Sequence, residues 1–326
     1  MNKLMKIGVS ALAGSLALTA ANAIEMSVSG SAGGAAYNYD EGNGKGGLYQ
    51  FDSVVFTASG TTDGGINVTA KMELDNDNPA TNAGMDDRSF SFGTEDMGTV
   101  TFSGHGGSSV MGQWDDVTPN AYEEVWDGTS GADVRIDGIS GNNLLSYVSP
   151  TISGITFRAA YQSTAADSGS GNGKTISAYN DWGISIAPEM VEGLEVGYAT
   201  GEMHESTTEA IDHTTYYIKY TYGSFTVAYQ DHEADGTSAA SSDESETWGV
   251  SYAVNENLSI AYGERDYDDD TSSSAAGSLE QNDSGFSASY TMGGMTIAGH
   301  MNSSDNVGGA ASADRDSYEI ALSFAF

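Results

Sequence analysis

The second half of the chain alternates bulky apolar residues with small or polar ones, with a period of two. A typical stretch places Leu194, Val196 and Tyr198 at alternate positions, with Glu195 and Gly197 between them. Because successive side chains of a β-strand point to opposite faces, this pattern predicts strands with one apolar face. The eight stretches of this kind lie at 194–198, 216–222, 225–229, 248–254, 258–262, 286–292, 295–299 and 318–326.

The connections between these stretches alternate between short and long. The tight turns are 222–224, 255–257 and 293–294, and the long, acidic connections lie near 202–212, 234–243, 268–282 and 304–314. Hairpin connections that alternate in this way are typical of a membrane barrel with short periplasmic turns and long external loops. The strands of a β-sandwich also alternate apolar and polar residues, but nothing in that fold makes short and long connections alternate.

The first half of the chain follows the same pattern less regularly and adds eight candidate strands, which makes sixteen. They span 26–38, 48–59, 65–74, 88–93, 98–104, 143–149, 154–163 and 173–186. Sixteen antiparallel strands enclose a lumen too wide for side chains to fill, so the sequence predicts an all-β, transmembrane antiparallel β-barrel around an aqueous channel. Because an unpaired edge in hydrocarbon would leave backbone N–H and C=O groups unsatisfied, we expect the last strand to pair with the first.

The first 23 residues have the organisation of a secretory signal peptide. Two lysines precede an apolar stretch, and Ala21-Asn22-Ala23 has the form of a cleavage site. We therefore expect residues 1–23 to be removed and residues 24–326 to form a single barrel domain. Since two of the 11 basic residues lie in the signal, the mature chain keeps nine against 46 acidic residues, a formal net charge of −37.

Composition and motifs argue against several function classes. A surface this acidic is a very poor partner for nucleic acid, and the lack of cysteine leaves neither disulfides nor a thiolate site. No nucleophile elbow, no P-loop and no dinucleotide fingerprint in its strand-to-helix setting occurs, so we expect no enzyme and no required cofactor. The acidic run Asp268, Asp269 and Asp270 could hold Ca²⁺ through carboxylate oxygens, although a solvated surface is the simpler interpretation.

Four features are informative in combination. They are the signal ending in Ala-Asn-Ala, the segments Phe51-Asp52-Ser53 and Gly60-Thr61-Thr62-Asp63-Gly64, a long connection after residues 98–104, and the terminal Phe326. Together they resemble the general porins of Gram-negative bacteria, of the alphaproteobacterial (Rhodobacter-like) sixteen-stranded type. The resemblance implies an outer-membrane homotrimer through which small hydrophilic solutes and ions diffuse passively. It also implies that the barrel-assembly machinery recognises Phe326.

Residues 105–142 form one connection of 38 residues, well beyond the usual limit of about 15 residues for a structureless loop. By similarity to porins, this third external loop would fold into the lumen as a constriction loop. Its acidic candidates are Asp115, Asp116, Glu123, Glu124 and Asp127. Trp114, Tyr122 and Trp126 are available to pack the loop on the barrel wall, since exposed loops rarely need two tryptophans.

The resemblance also implies that basic wall residues oppose the acidic loop. Strand parity points Lys71 and Arg158 into the lumen, and Lys219 likewise. Arg88 shares parity with the apolar Phe90 and is placed at the pore only because it lies near a strand end. The opposing basic cluster is therefore thin in this chain.

The charge of the lining predicts the selectivity of the pore. An acidic lumen should concentrate cations and repel anions, so we expect weak to moderate cation selectivity. The alternatives are a substrate-selective channel whose constriction binds a sugar or peptide through Trp114, Tyr122 or Trp126, a secreted acidic β-protein, and a barrel enzyme with scattered catalytic residues.

Overall fold

The computed structural model describes residues 24–39, 46–75, 84–115, 117–127, 140–141, 143–162, 178–204, 210–236, 243–269 and 279–326. Within these ranges sixteen strands form a closed antiparallel barrel. In chain order they are β1 (Glu25–Tyr39), β2 (Gly47–Thr61), β3 (Asn67–Asp75), β4 (Gly84–Thr94), β5 (Gly98–His105), β6 (Leu144–Val148), β7 (Ile155–Gln162), β8 (Ala178–Ile186), β9 (Leu194–His204), β10 (Ala210–Tyr222), β11 (Phe225–Gly236), β12 (Asp243–Ala253), β13 (Leu258–Asp269), β14 (Gln281–Met292), β15 (Met295–Asp305) and β16 (Arg315–Ala325). The predicted fold is confirmed, and each predicted strand overlaps an observed one.

The barrel closes where β16 pairs with β1. The register runs from Ser31 opposite Ala325 to Tyr39 opposite Ser317. Two further backbone hydrogen bonds join Gly30 to Phe326, at 2.8 and 3.0 Å between nitrogen and oxygen. This seam satisfies the backbone groups that an open sheet edge would expose to hydrocarbon.

Side chains sort by strand parity between the two faces of the wall. On β16, Tyr318, Ile320 and Leu322 point outward and are exposed, whereas Ser317 and Glu319 point inward and are buried. An exposed apolar face and a shielded polar face are the reverse of a water-soluble protein, and they suit a wall between lipid and an aqueous lumen.

Glycines in β1 make room for aromatic rings from neighbouring strands. A Cβ atom on Gly33 would lie 2.4 Å from the ring of Phe51, and one on Gly30 would lie 2.9 Å from the ring of Phe326. The small residues that weaken the apolar pattern of β1 therefore allow rings to lie across it. Phe51 covers the strand on the inner face and Phe326 covers it on the outer face.

Two of the predicted tight turns depend on glycine conformation. Gly223 and Gly293 begin the two-residue connections between β10 and β11 and between β14 and β15, with φ of 59° and 63°. Other residue types rarely adopt this left-handed conformation. Two-residue turns with positive φ fit the right-handed twist of the strands that they connect.

Little helix accompanies the barrel in the part of the chain that the structure describes. A short helix α1 (Val110–Gln113) and a two-residue ladder between Gly107–Ser108 and Ser140–Gly141 belong to the third external loop. A 3₁₀ turn spans Val307–Gly309. No helix among these residues is long and apolar enough to cross a membrane.

Neighbouring positions on β16 should respond differently to the same substitution. Leu322 points to lipid at the middle of its apolar stripe, whereas Ser323 points inward. We expect Leu322→Arg to lower the free energy of unfolding by about 2–4 kcal/mol, because a charge on the lipid face is penalised near the bilayer midplane. Ser323→Arg should lower the free energy of unfolding clearly less. Urea unfolding in liposomes measures both variants, and equal losses would contradict the assignment of the two faces.

Candidate functional site

The third external loop lies inside the barrel. It leaves β5 at the end of the barrel that carries the long loops. Its described residues contact inward-facing groups on strands from β8 to β16 and, across the closing seam, on β1 and β2. Most of these contacts use small or polar wall residues, so the loop follows the inner surface. The prediction that residues 105–142 fold into the lumen is confirmed for the described part of the loop.

The first part of the loop is attached through α1. Ser109 caps the helix by accepting a hydrogen bond from the Gly112 N–H at 3.3 Å. The Met111 N–H donates to Asp181 Oδ2 on β8 at 2.9 Å. Trp114 packs edge-on against Tyr217 of β10, with 5.1 Å between ring centroids. Backbone and side-chain contacts together hold this part of the loop to the wall.

The middle of the loop is attached through Tyr122. Its hydroxyl donates to Glu319 Oε1 at 2.5 Å, and Tyr39 and Tyr49 donate to the same carboxylate at 2.6 and 2.7 Å. Burial and the hydrogen bond to Glu319 both raise the pKa of the Tyr122 hydroxyl. Tyr122 therefore stays a neutral donor, and a carboxylate on the closing strand β16 holds the loop.

The next segment of the loop is attached through Trp126 and a buried ion pair. The Arg265 guanidinium of β13 lies 4.9 Å from the centroid of the Trp126 ring. Its Nε donates to Asp283 Oδ2 on β14 at 2.8 Å, and its Nη2 donates to the same oxygen. Gln281 donates to Asp283 at 3.0 Å and accepts from the Gly308 N–H at 3.0 Å, which extends this network to the eighth external loop.

The acidic candidates of the loop occupy different environments. Asp115, Glu123 and Asp127 are partly exposed, whereas Glu124 is buried at 3% exposure and accepts from Asn120 at 3.4 Å. The carboxylates of Glu123, Glu124 and Asp127 lie within 4.8 Å of one another. Asp116 lies outside the described residues.

The basic candidates divide between the two faces of the wall. Lys71 is 3.7 Å from Glu73, Lys219 is 3.2 Å from Glu195, and Arg158 donates to Ser185 at 2.9 Å. All three point inward, as strand parity predicts.

Arg88 does not join this inward group. It pairs with the outward Met72 and donates to the Gly104 carbonyl at 3.4 Å. Its assignment to the pore constriction is therefore corrected, because the strand alternation takes its side chain to the outer face.

Two described clusters have the ligand types for a metal ion. One is the acidic trio of the loop, and the other is Asp86, Asp87 and His105 at the long-loop end of β4 and β5. Asp268 is exposed at the end of β13, whereas the side chain of Asp269 and all of Asp270 lie outside the described residues. Calcium at these three aspartates stays a prediction.

Sequence reasoning missed the importance of Arg265 and Glu319. Arg265 shares parity with Ser259 and Ala261, so its inward direction could have been predicted. Its contact with Trp126 could not, because the loop has no periodicity. Parity likewise gives the inward direction of Glu319, but not its burial or the hydrogen bonds that it accepts from three tyrosine hydroxyls.

Comparison with known proteins gives one family match and several structural ones. The model of the Gram-negative porin family matches residues 8–282, and no curated protein matches the chain. The anion-selective porin of Comamonas acidovorans has a TM-score of 0.70 at 13% identity, over 93% of this chain and 100% of that one. Salmonella typhi OmpF in complex with daunomycin has a TM-score of 0.72 at 13% identity, over 93% and 98%. A triple mutant of the Rhodopseudomonas blastica porin has a TM-score of 0.63 at 14% identity, over 92% and 100%.

The network around Arg265 should be sensitive to removal of one partner. Arg265→Met leaves the buried Asp283 carboxylate without its cation, and we expect a loss of about 3–5 kcal/mol in the free energy of unfolding. Adding Asp283→Leu should restore much of that loss. Limited proteolysis should also cut the loop faster in the single variant.

The control is Arg88→Met, which removes an arginine from the outer face and should change little. An Arg265→Met barrel as stable and as protease-resistant as the parent protein would show that the ion pair does not hold the loop.

Proposed function

The chain belongs to the Gram-negative porin family, and from this membership we propose that it is a cation-selective diffusion pore whose third loop narrows the lumen. It is an outer-membrane channel for small solutes, not an enzyme.

The observation that carries the proposal is the pairing of three inward basic residues among those described. Lys71, Lys219 and Arg265 each lie beside a wall carboxylate, namely Glu73, Glu195 and Asp283. Their positive charges are therefore largely offset within the wall. The loop adds further carboxylates inside the lumen, so the balance of charge along the path is negative.

The fold leaves the sign of selectivity open. The Comamonas acidovorans protein is an anion-selective porin with the same type of barrel, so selectivity must depend on which charges face the lumen. A negative lining raises the local concentration of cations and lowers that of anions. For this chain the charge balance favours cations.

The proposal includes a constriction at the loop. The loop lies against the wall from β8 to β2, and the inward Lys71 and Arg158 belong to strands β3 and β7 on the remaining side. Solutes would then pass between an acidic loop and a wall with few cations. Trp114 and Tyr122 are buried against the wall at 6% and 5% exposure, so they are poor candidates for binding a solute.

Assembly as a homotrimer is part of the same proposal. The outward face of β1 is built from small residues such as Ala32, Gly34 and Ala36, next to Gln50 and Asp52 on the outer face of β2. A flat surface with polar groups suits contact with another protein subunit better than contact with lipid. The proposal also keeps Phe326 as the residue that the barrel-assembly machinery recognises.

Charge neutralisation in the loop tests the selectivity. A unit charge about 7 Å from an ion in water changes its energy by about 0.6 kcal/mol, which is about threefold in local concentration. We expect Glu123→Gln with Asp127→Asn to lower the permeability ratio of K⁺ to Cl⁻ by roughly that factor or more. Reversal potentials in planar bilayers under a KCl gradient give the ratio.

The matched control is Glu244→Gln with Asp266→Asn, which removes two exposed carboxylates from the outer face of β12 and β13. This variant should keep the parent ratio. A parent protein whose reversal potential favours chloride would refute the proposed selectivity.

Deletion of Phe326 tests the assembly proposal. The deletion removes two seam hydrogen bonds to Gly30 and the aromatic group expected to be recognised, so trimer yield in the outer membrane should fall severalfold. Phe324→Ala, which removes an outward ring and keeps the backbone, is the control. Crosslinking and heat-modifiable gel migration report trimer and folded barrel, and normal trimer yield after the deletion would count against the proposal.

A further inference from the structure

A row of aromatic rings lies on the inner wall of β1 and β2. Tyr37 is 4.7 Å from Tyr39 and 5.9 Å from Tyr49, and Tyr49 is 6.0 Å from Phe51, measured between ring centroids. We call these four residues the aromatic track. Their parity is that of the inward Ala35 and Ser53, so the track faces the lumen.

The track leads from the mouth of the barrel towards the constriction loop. Tyr39 is the last residue of β1 at the long-loop end, and Phe51 lies deeper along β2. The buried Phe51 packs in one cluster with Tyr122 of the loop. A solute that entered from the long-loop side would meet these rings before it reached the loop.

The upper rings are both accessible and held in place. Tyr37 and Tyr39 are half-buried and Tyr49 is 36% exposed, in contrast to the buried rings of Trp114 and Tyr122. The hydroxyls of Tyr39 and Tyr49 donate to Glu319, which fixes the two rings. Rings that are already fixed lose little conformational freedom when they bind a ligand.

The charge around the track favours a cationic ligand. The Glu319 carboxylate accepts hydrogen bonds from two of the track tyrosines. It also accepts one from Tyr122, which precedes Glu123 in the loop, and Ser317 of the same strand donates to the Asp127 carbonyl. Arg315, at the mouth end of β16, lies two residues beyond Ser317, the register partner of Tyr39. A ring face carries partial negative charge and attracts cations, and nearby carboxylates strengthen that attraction.

We propose that the aromatic track binds organic cations, in particular ammonium groups that carry aryl or alkyl substituents, on their way to the constriction. The apolar substituents pack on the ring faces and the ammonium lies over a ring near the carboxylates. The inference rests on the proposed water-filled channel and adds a substrate class to it. A neutral sugar could also pack on tyrosine rings, but it would gain nothing from the surrounding negative charge.

Single-channel block by benzyltrimethylammonium tests the assignment. We expect this ion to reduce KCl conductance saturably when added on the long-loop side, and at lower concentration than tetramethylammonium, which lacks the aryl group. Tyr37→Leu with Tyr49→Leu should raise the half-blocking concentration by about fivefold, since each ring contributes roughly 0.5 kcal/mol or more.

Two control variants separate the rings from other effects. Tyr37→Phe with Tyr49→Phe keeps the rings and removes the hydroxyls, so it should retain most of the block. Tyr290→Leu removes a tyrosine from the lipid face and should leave the block unchanged.

The outcomes distinguish this inference from the proposed function. A protein that forms no conducting channel refutes the proposed function itself. A normal channel that benzyltrimethylammonium and tetramethylammonium block equally, or whose block survives the double leucine variant, overturns the aromatic track as the binding site. Saturable block by maltotriose without block by the organic cation overturns the ligand class.

Discussion

Closure of the sheet is the constraint on which the rest of this structure depends. In hydrocarbon each unsatisfied backbone group costs several kcal/mol, so the sheet has to leave no edge. The seam between β1 and β16 meets that requirement with a continuous register and with hydrogen bonds between Gly30 and Phe326. Closure also divides every strand into a lipid face and a lumen face, and this division explains why exposed apolar and buried polar residues alternate along the chain.

A ring of sixteen strands leaves a lumen that the wall residues cannot fill, and the third loop occupies part of it. Because the inner wall is polar, the loop is held mainly by hydrogen bonds, rings and buried charge, with two small apolar clusters, one around Trp114 and one around Tyr122. The buried charges are compensated in two ways. Arg265 is paired with Asp283, while Glu319 accepts hydrogen bonds from tyrosine hydroxyls. Removal of Asp283 would leave Arg265 as an isolated buried charge beside Trp126, and removal of Tyr122 would take one of three donors from the buried Glu319. Both arrangements therefore favour the observed position of the loop.

Strand parity and the alternation of short and long connections predicted the barrel, and the cost of an open sheet edge predicted its closing pair. Parity alone predicted the inward direction of Lys71 and Arg158. Parity also placed Arg88 with the apolar face, and the structure agrees with parity, not with its assignment to the pore. The loop contacts could not be predicted in the same way. Trp126 and Arg265 are far apart in sequence, and an aperiodic loop carries no signal for the wall residue it will meet. The same limit applies to Glu319, whose partners come from β1, β2 and the loop and meet only after the barrel has closed.

The lipid restricts the residues of the outer face more than water restricts those of the inner face. This difference explains how ion selectivity can differ between barrels of one fold. Outward positions must stay apolar at membrane depth, whereas inward positions need only remain compatible with water and with the loop. The inward residues are therefore the ones that can change without loss of the barrel. Among the described residues they pair Lys71, Lys219 and Arg265 with carboxylates and gather tyrosines on β1 and β2. We infer that the ion selectivity of the pore depends on which residues occupy the inward positions. A barrel of the same shape with unpaired arginines at these positions would favour anions.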